Sequence, residues 1–245
     1  MVALAYRRGD LAAPLREEEG ELRMLKIGAA NISRRTLAGL CLIAAPLVGL
    51  IGALLTPRFT GGFGDELAAI SEYPERWLIS TFLTLLSFFL LIPAVLGIVH
   101  LLRERAVVLG HIGAGLVLLG LYFHAAVIGY SLVEVPLTAS GIERARTIAF
   151  TEQMYDNAAF TMVLLPFLSF YLGSIILAVA LWRARVAPLW IAFVIVLALL
   201  TEFFGPEALS LALMFLLLLV GFGWVGLKVL RMADAEWGQV KEGGR

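Results

Sequence analysis

The chain has 245 residues, of which 60% are hydrophobic and only 16% are charged, and its mean hydropathy is +0.91. Soluble domains are about 45–50% apolar and about 25% charged, and a soluble core of this size cannot hide so many apolar side chains. The formal net charge is zero, which gives no argument for binding nucleic acid. The composition therefore predicts a membrane protein with the lipid bilayer as a partner and no nucleic-acid partner.

Residues 1–33 are predicted to form a cytoplasmic tail. This segment has an acidic stretch at residues 17–21 and lacks the apolar core of a secretory signal peptide. A short amphipathic helix is expected near Glu21–Ile27. Met24 is an alternative start to Met1, because the sequence after it leads directly into the first apolar run.

Six apolar runs follow, and a helix needs about 20 such residues to cross about 30 Å of hydrocarbon. They lack the alternation of barrel strands, and backbone groups in lipid must be satisfied within the helix. The sequence predicts an all-α bundle over residues 34–231 and a cytoplasmic tail over residues 232–245. The six predicted spans are Thr36–Thr56, Leu78–Leu102, Val107–Val133, Ala158–Trp182, Ala187–Phe204 and Pro206–Leu230.

Basic residues predict that both termini are cytoplasmic, because lysine and arginine are enriched in cytoplasmic loops. With the N-terminus inside, twice as many flanking basic residues lie inside as outside. The inner set is Arg34, Arg35, Arg103, Arg105, Arg183, Arg185, Lys228 and Arg231, and the outer set is Arg58, Arg76, Arg144 and Arg146. We therefore expect a multi-pass protein of the plasma membrane.

The inner connections Arg103–Arg105 and Arg183–Arg185 are so short that each must join antiparallel helices that pack as neighbours. The outer connections are longer. In the first, Asp65 and Glu66 are expected to open a short helix, and Pro74 suits the first turn of the second span.

The second outer connection is predicted to hold an amphipathic helix on the outer surface. Ser140–Glu143 matches a capping box, and Ile142, Ala145, Ile148 and Ala149 fall near one helical face. Arg144, Arg146 and Glu152 lie away from that face. The helix serves either as a surface connector or as a lid.

His124 is the one ionisable residue well inside a predicted span, and such residues suggest a functional site. At 100° per residue it shares a face with Gly113, Val117, Gly120 and Ser131. Because small residues spaced seven apart allow a second helix to approach closely, we expect His124 to point into the bundle. The alternative is a packed histidine bonded to a backbone carbonyl or a serine, without activity.

A candidate pocket is predicted in the outer half of the bundle, between the third, fourth and fifth spans. Prolines inside the first, second and fourth spans can bend those helices and separate their outer ends. The pocket residues are His124, Ser131, Glu134, Tyr155, Asp156 and Glu202. One histidine with several carboxylates could bind a metal, relay protons or act as an acid and base pair, but carboxylates at helix ends also suit a water interface without any site.

Several classes of protein are excluded or disfavoured. Cys41 is the only cysteine, so an intramolecular disulfide, a CxxC pair and a cysteine zinc site are impossible. The sequence has no HExxH, GxSxG or P-loop motif and no lysine in mid-membrane for a retinal. His111 and His124 are separated by about 220° around their helix, which disfavours a pair of haem ligands. The sequence identifies no cofactor, so the cofactor is unknown.

Four segments resemble uncharacterised multi-span integral membrane proteins common in high-GC Gram-positive bacteria. They are Arg35–Leu40, Ile92–Arg103, Leu181–Trp190 and Gly226–Trp237, and the likeness covers residues 34 to 237. The ratio of sixteen arginines to three lysines agrees with a GC-rich coding sequence. This resemblance implies a topology and brings no catalytic residue.

The sequence leaves three functions open. The first is a non-enzymatic protein that binds or transports a small or lipidic molecule through an outward-facing polar pocket. As a transporter with only six spans, it is expected to act as a homodimer. The second is a membrane-embedded enzyme that acts on a lipid or isoprenoid through acid–base or metal chemistry. The third is an accessory subunit without a site of its own.

Overall fold

The computed structural model describes residues 12–59, 62–139, 144–157, 166–202 and 207–238, and gives only the backbone for residues 12–33, 139, 144, 155, 207 and 208. In these ranges every regular element is a helix. The helices are α1 (Ala12–Leu55), α2 (Phe63–Glu72), α3 (Pro74–Leu102), α4 (Val107–Ala139), α5 (Arg144–Tyr155), α6 (Phe167–Arg183), α7 (Leu189–Thr201), α8 (Glu207–Arg231) and α9 (Asp234–Gly238).

Among the described residues, four helices are long and apolar enough to cross a membrane. Their candidate spans are Arg34–Leu55, Pro74–Leu102, Val107–Thr138 and Leu209–Arg231. The helices α6 and α7 are also apolar but have 17 and 13 residues, which is about 26 Å and about 20 Å at 1.5 Å per residue. Each of them borders a segment outside the described ranges. These lengths and compositions support a multi-pass membrane protein.

Six helices form a closed ring in chain order. The first long helix, α1, packs against α3 and α8, while α4 packs against α3 and α6, and α7 packs against α6 and α8. The prediction that the two short connections join neighbouring helices is confirmed for α3 with α4 and for α6 with α7. The ring has a basic end, where residues 103–106 and 184–188 connect these pairs, and a distal end opposite it.

The outer surface of the ring is as apolar as its interior. Leu42, Ile98, Leu181 and Ile191 are fully buried, whereas Leu54, Phe82, Phe193 and Leu209 are each more than 60% exposed. Water does not tolerate exposed apolar surface on this scale. The outer face therefore fits a surrounding of lipid.

Glycines bring the backbones of α4 and α6 into contact. A Cβ atom on Gly173 would lie 2.6 Å from the Gly113 carbonyl oxygen, and one on Gly120 would lie 2.4 Å from the Phe170 nitrogen. Helices in lipid associate by close van der Waals packing, which small residues permit. The predicted close approach at the Gly113 and Gly120 face is confirmed. The helices α1 and α8 meet in the same way, since a Cβ on Gly226 would lie 2.7 Å from the Gly39 carbonyl oxygen.

Several helix ends follow the expectations from the sequence. The acidic residues Asp65 and Glu66 open α2, and Pro74 begins α3. The guanidinium group of Arg76 donates from Nε to the Leu55 carbonyl at 2.6 Å, which satisfies a free acceptor at the end of α1. Pro46 lies inside α1, without ending it.

The first predicted span coincides with the apolar segment Arg34–Leu55 of α1, a helix that is continuous from Ala12. Two expectations about the helices need correction. The helix α4 runs to Ala139 rather than ending at Val133. In α5, Thr147 and Thr151 are buried while Ala145 and Ala149 are exposed. The predicted apolar face is therefore only partly right, because α5 contacts the bundle through α2, where Ile148 of that face packs beside Leu67, Ile70 and Trp77.

The contact between α4 and α6 can be tested with one methyl group. Gly120→Ala should lower the free energy of unfolding by about 1–3 kcal/mol, because the new Cβ overlaps backbone atoms of α6 that cannot move aside. Thermal unfolding of the purified chain in detergent measures the change. Gly115→Ala is the matched control, since nothing lies within 4 Å of its Cβ position. Equal effects from both variants would contradict the described packing.

Candidate functional site

His124 lies inside the bundle, as predicted, and is 6% exposed. Its ring stacks on Phe167 with 3.6 Å between the ring centroids, and it contacts Phe88 and Phe170 with centroid distances of 5.1 and 4.9 Å. Tyr171 completes the surroundings at 6.1 Å. The imidazole is thus enclosed by aromatic rings from α3 and α6.

The hydrogen bond of His124 fixes its tautomer. The Nδ1 atom lies 2.9 Å from the Gly120 carbonyl oxygen one turn earlier in α4. A carbonyl oxygen only accepts, so Nδ1 carries the proton and donates it. In the neutral ring this leaves Nε2 as a hydrogen-bond acceptor. The backbone partner agrees with the interpretation of His124 as a packed histidine and also gives the ring a defined orientation.

Tyr171 connects this aromatic cage to a carboxylate. Its hydroxyl group donates to Oε2 of Glu202 at the end of α7. The Tyr171 side chain is buried, and Glu202 is half-buried. The structure therefore brings two of the predicted pocket residues, His124 and Glu202, into one cluster through a residue that was not predicted. We call His124, Phe167, Phe170, Tyr171 and Glu202 the distal cluster.

The other predicted pocket residues lie elsewhere. Ser131 and Glu134 follow His124 on α4 by about 10 Å and about 15 Å along the helix axis, and the Ser131 carbonyl accepts a hydrogen bond from Trp77 Nε1 at 3.1 Å. Glu134 is buried. Asp156 is exposed just after α5, and the side chain of Tyr155 is outside the described part of the chain.

Sequence reasoning missed Tyr171 together with Phe167 and Phe170. The available signal was their spacing, because residues three and four apart share one helical face. An aromatic face on an apolar helix is usually plain core, however, and the partner Glu202 is 31 residues away. Only the packing of α6 against α4 and α7 makes the set a cluster.

The predicted outer cavity remains a prediction. Residues 140–143, 158–165 and 203–206 are outside the described ranges.

Metal binding is one of the open possibilities for the pocket residues. Among the described residues, no group of three or more histidine, cysteine, aspartate or glutamate side chains could hold a metal ion. The other two histidines have their own partners, since His111 donates to the Val107 carbonyl and His100 Nε2 accepts from Arg103.

Comparisons with known proteins add no family. No protein-family model matches the chain, and searches of curated proteins and of solved structures likewise find no match. The resemblance to multi-span bacterial proteins therefore stays a prediction.

The hydrogen bond between Tyr171 and Glu202 can be tested by removing one oxygen atom. Tyr171→Phe keeps the ring in the cage but deprives the Glu202 carboxylate of a donor, so we expect a loss of about 1–2 kcal/mol in the free energy of unfolding. Thermal unfolding in detergent measures this loss. Tyr122→Phe removes the same oxygen from a side chain that is 71% exposed, and it should change stability by less than about 0.5 kcal/mol. A Tyr171 variant as stable as the Tyr122 variant would contradict the pairing.

Proposed function

We propose that this chain is a six-span protein of the bacterial plasma membrane, with both termini in the cytoplasm, that binds or transports a small or lipidic molecule in the distal half of its bundle. One argument supports six spans, and a second supports the orientation. The apolar helices α6 and α7 occupy the same ring as the four span-length helices. The charge bias of the connections supports the orientation, because it places the basic end in the cytoplasm.

The distal cluster is the observation that carries the proposed binding function. It contains two acceptors, Nε2 of His124 in the neutral ring and the carboxylate of Glu202, together with a set of packed aromatic rings. Such a surface is complementary to a molecule with an apolar body and an N–H or O–H donor at one end. Pockets for small molecules combine apolar walls with a few polar groups in the same way.

Binding is favoured over catalysis by the way the imidazole is held. Its Nδ1 donates to a carbonyl of its own helix rather than to a carboxylate that would support a general base. The Tyr171 hydroxyl group is already committed to Glu202. These groups can orient a ligand, while an acid and base pair would need two groups directed at one reacting atom.

The proposed topology predicts the outcome of reporter fusions. Fusions after Arg105 and after Arg185 should report a cytoplasmic location, and those after Gly62 and after Ser140 should report an external one. Enzymatic reporters active on only one side of the membrane make the measurement. An external signal after Arg105 would overturn the six-span arrangement, and one after Arg185 alone would remove α6 and α7 from the set of spans.

The proposed binding site predicts the effect of His124→Phe. Phenylalanine preserves the ring stacking and removes both ring nitrogens, so the chain should remain folded while a ligand that bonds to Nε2 is lost. Mass spectrometry of small molecules and lipids that co-purify with the chain compares this variant with the wild type. Tyr122→Phe controls for changes at the lipid-facing surface. If the two variants retain the same molecules as the wild type, the distal cluster is packing, and the accessory-subunit hypothesis gains.

A further inference from the structure

The basic end of the bundle contains a polar cavity that has no part in the distal cluster. Its volume is about 280 Å³, and four cations line it: Arg103, Arg105, Arg185 and Lys228. Two carboxylates, Glu104 and Glu236, share the lining. With His100 counted as neutral, the four positive and two negative side chains give the cavity a net positive charge.

Two of these cations are held by the connection between α6 and α7. Arg105 Nη1 donates to the Ala184 carbonyl at 3.1 Å, and Lys228 Nζ donates to the Val186 carbonyl at 2.5 Å. A guanidinium group has five N–H donors and an ammonium group has three. Both side chains therefore have further N–H donors for an anion. They are also held in place, because they bind backbone carbonyls only two residues apart.

The third cation, Arg185, occupies a backbone conformation that favours glycine. Its φ is 58°, and the Val186 and Arg185 amides donate to the Leu181 and Trp182 carbonyls at 3.0 and 2.9 Å. This pattern is the Schellman motif, in which glycine is the usual residue at the left-handed position. An arginine there costs conformational energy, and it places a positive charge in the lining of the cavity.

The last described helix, α9, forms another wall. The Trp237 carbonyl accepts a hydrogen bond from Arg103 Nη2 at 2.8 Å, and Arg103 Nη1 donates to His100 Nε2. An ion pair of 2.7 Å between Arg35 and Asp234 fixes the start of the same helix to α1. The cavity is thus built by contacts from α1, α3, α6, α8 and α9 rather than left between mobile side chains.

The polar cavity continues into an apolar groove on the outside of the ring. A second cavity of about 350 Å³ shares Lys228 with the first and also contains Trp224 and Leu227. These two residues belong in turn to a groove of about 350 Å³ that reaches Ile43 and Leu219 and is lined almost wholly by apolar atoms. From Lys228 to Leu219 the groove follows α8 for about 14 Å. Leu227 and Trp190 on its rim are 47% and 51% exposed.

We propose that the basic end binds an anionic phospholipid. Its phosphate group lies in the cationic cavity, and an acyl chain lies in the groove beside α8. Basic pockets between membrane helices on the cytoplasmic side bind anionic headgroups, and the continuous groove distinguishes a lipid from a free phosphate ion. This site lies at the opposite end from the distal cluster, so it goes beyond the proposed function and can fail independently of it.

The test uses the full chain, purified in neutral detergent and stripped of lipid. Phosphatidylglycerol, phosphatidylcholine with the same acyl chains, and inorganic phosphate are added separately, and lipid retention in native mass spectrometry and the thermal midpoint are recorded. We expect phosphatidylglycerol to raise the midpoint and to be retained at least about tenfold more than phosphatidylcholine. Both lipids have an anionic phosphate, but the trimethylammonium group of phosphatidylcholine adds a positive charge that the cationic lining repels. Inorganic phosphate should give no comparable shift.

Two variants separate binding from folding. Arg185→Gly should reduce phosphatidylglycerol retention by about tenfold and leave the lipid-free midpoint unchanged or raised, because glycine suits the left-handed position. Arg183→Gln is its control, since Arg183 is exposed at the same end and outside the cavity lining. Gly223→Leu should weaken retention by filling the groove, where its Cβ meets only Leu219 at 3.8 Å, whereas Gly115→Leu should not.

The outcomes that overturn the proposal are distinct. Equal retention of the two phospholipids would show that the cations do not select a headgroup. An equal shift with inorganic phosphate would assign the cavity to a free anion. If Arg185→Gly and Arg183→Gln behave alike, the cavity is not the binding site. Circular dichroism checks that each variant is folded. If a variant does not fold, the comparison of the two phospholipids on the wild type tests the proposal.

Discussion

The contact between the backbones of α4 and α6 is the constraint on which the distal half of this protein depends. Helices surrounded by lipid gain little by burying apolar surface against each other, so they need close atomic contact to associate. The glycine pair Gly113 and Gly173 provides that contact. It also fixes the axial position of the two helices, because backbones this close cannot slide past each other. His124 is one turn beyond Gly120 and therefore meets Phe167, Phe170 and Tyr171; a shift of one turn would separate it from all three.

Helical periodicity predicted those features that depend on a single helix. It correctly gave the inward orientation of His124 and the small-residue face at Gly113 and Gly120. The pairing of Tyr171 with Glu202 could not be obtained in this way, because it depends on how two helices rotate relative to each other. The place of Asp156 in the pocket stays a prediction, because its side chain is exposed just after α5 and residues 158–165 that follow it are outside the described ranges. The hydrogen bonding of Trp237 could not be predicted from the sequence either, because it involves the backbone carbonyl oxygen, a group that every residue has.

The two ends of the bundle satisfy their polar groups by different means. At the basic end, arginine and lysine side chains donate to carbonyl oxygens at helix ends, such as Ala184, Val186 and Trp237. The free carbonyls at a helix C-terminus carry partial negative charge, which cations stabilise. The residues that indicate the orientation of the chain thus also cap its helices. In the distal cluster the polar atoms are few, and His124 bonds within its own helix. The basic end consequently presents charged groups, while the distal cluster is mostly aromatic and apolar.

The closure of the ring between α1 and α8 has a consequence for biosynthesis. These are the first and last long helices of the described chain, and they meet where Gly39 faces Gly226. During synthesis the Gly39 face of α1 has no partner until α8 has been made, almost the whole chain later. Contacts between residues so far apart in sequence form late in folding. The interval leaves the Gly39 face of α1 in contact with lipid or with the insertion machinery, although α3 can already pack on α1. A chain interrupted before α8 would expose this glycine face to association with other membrane helices.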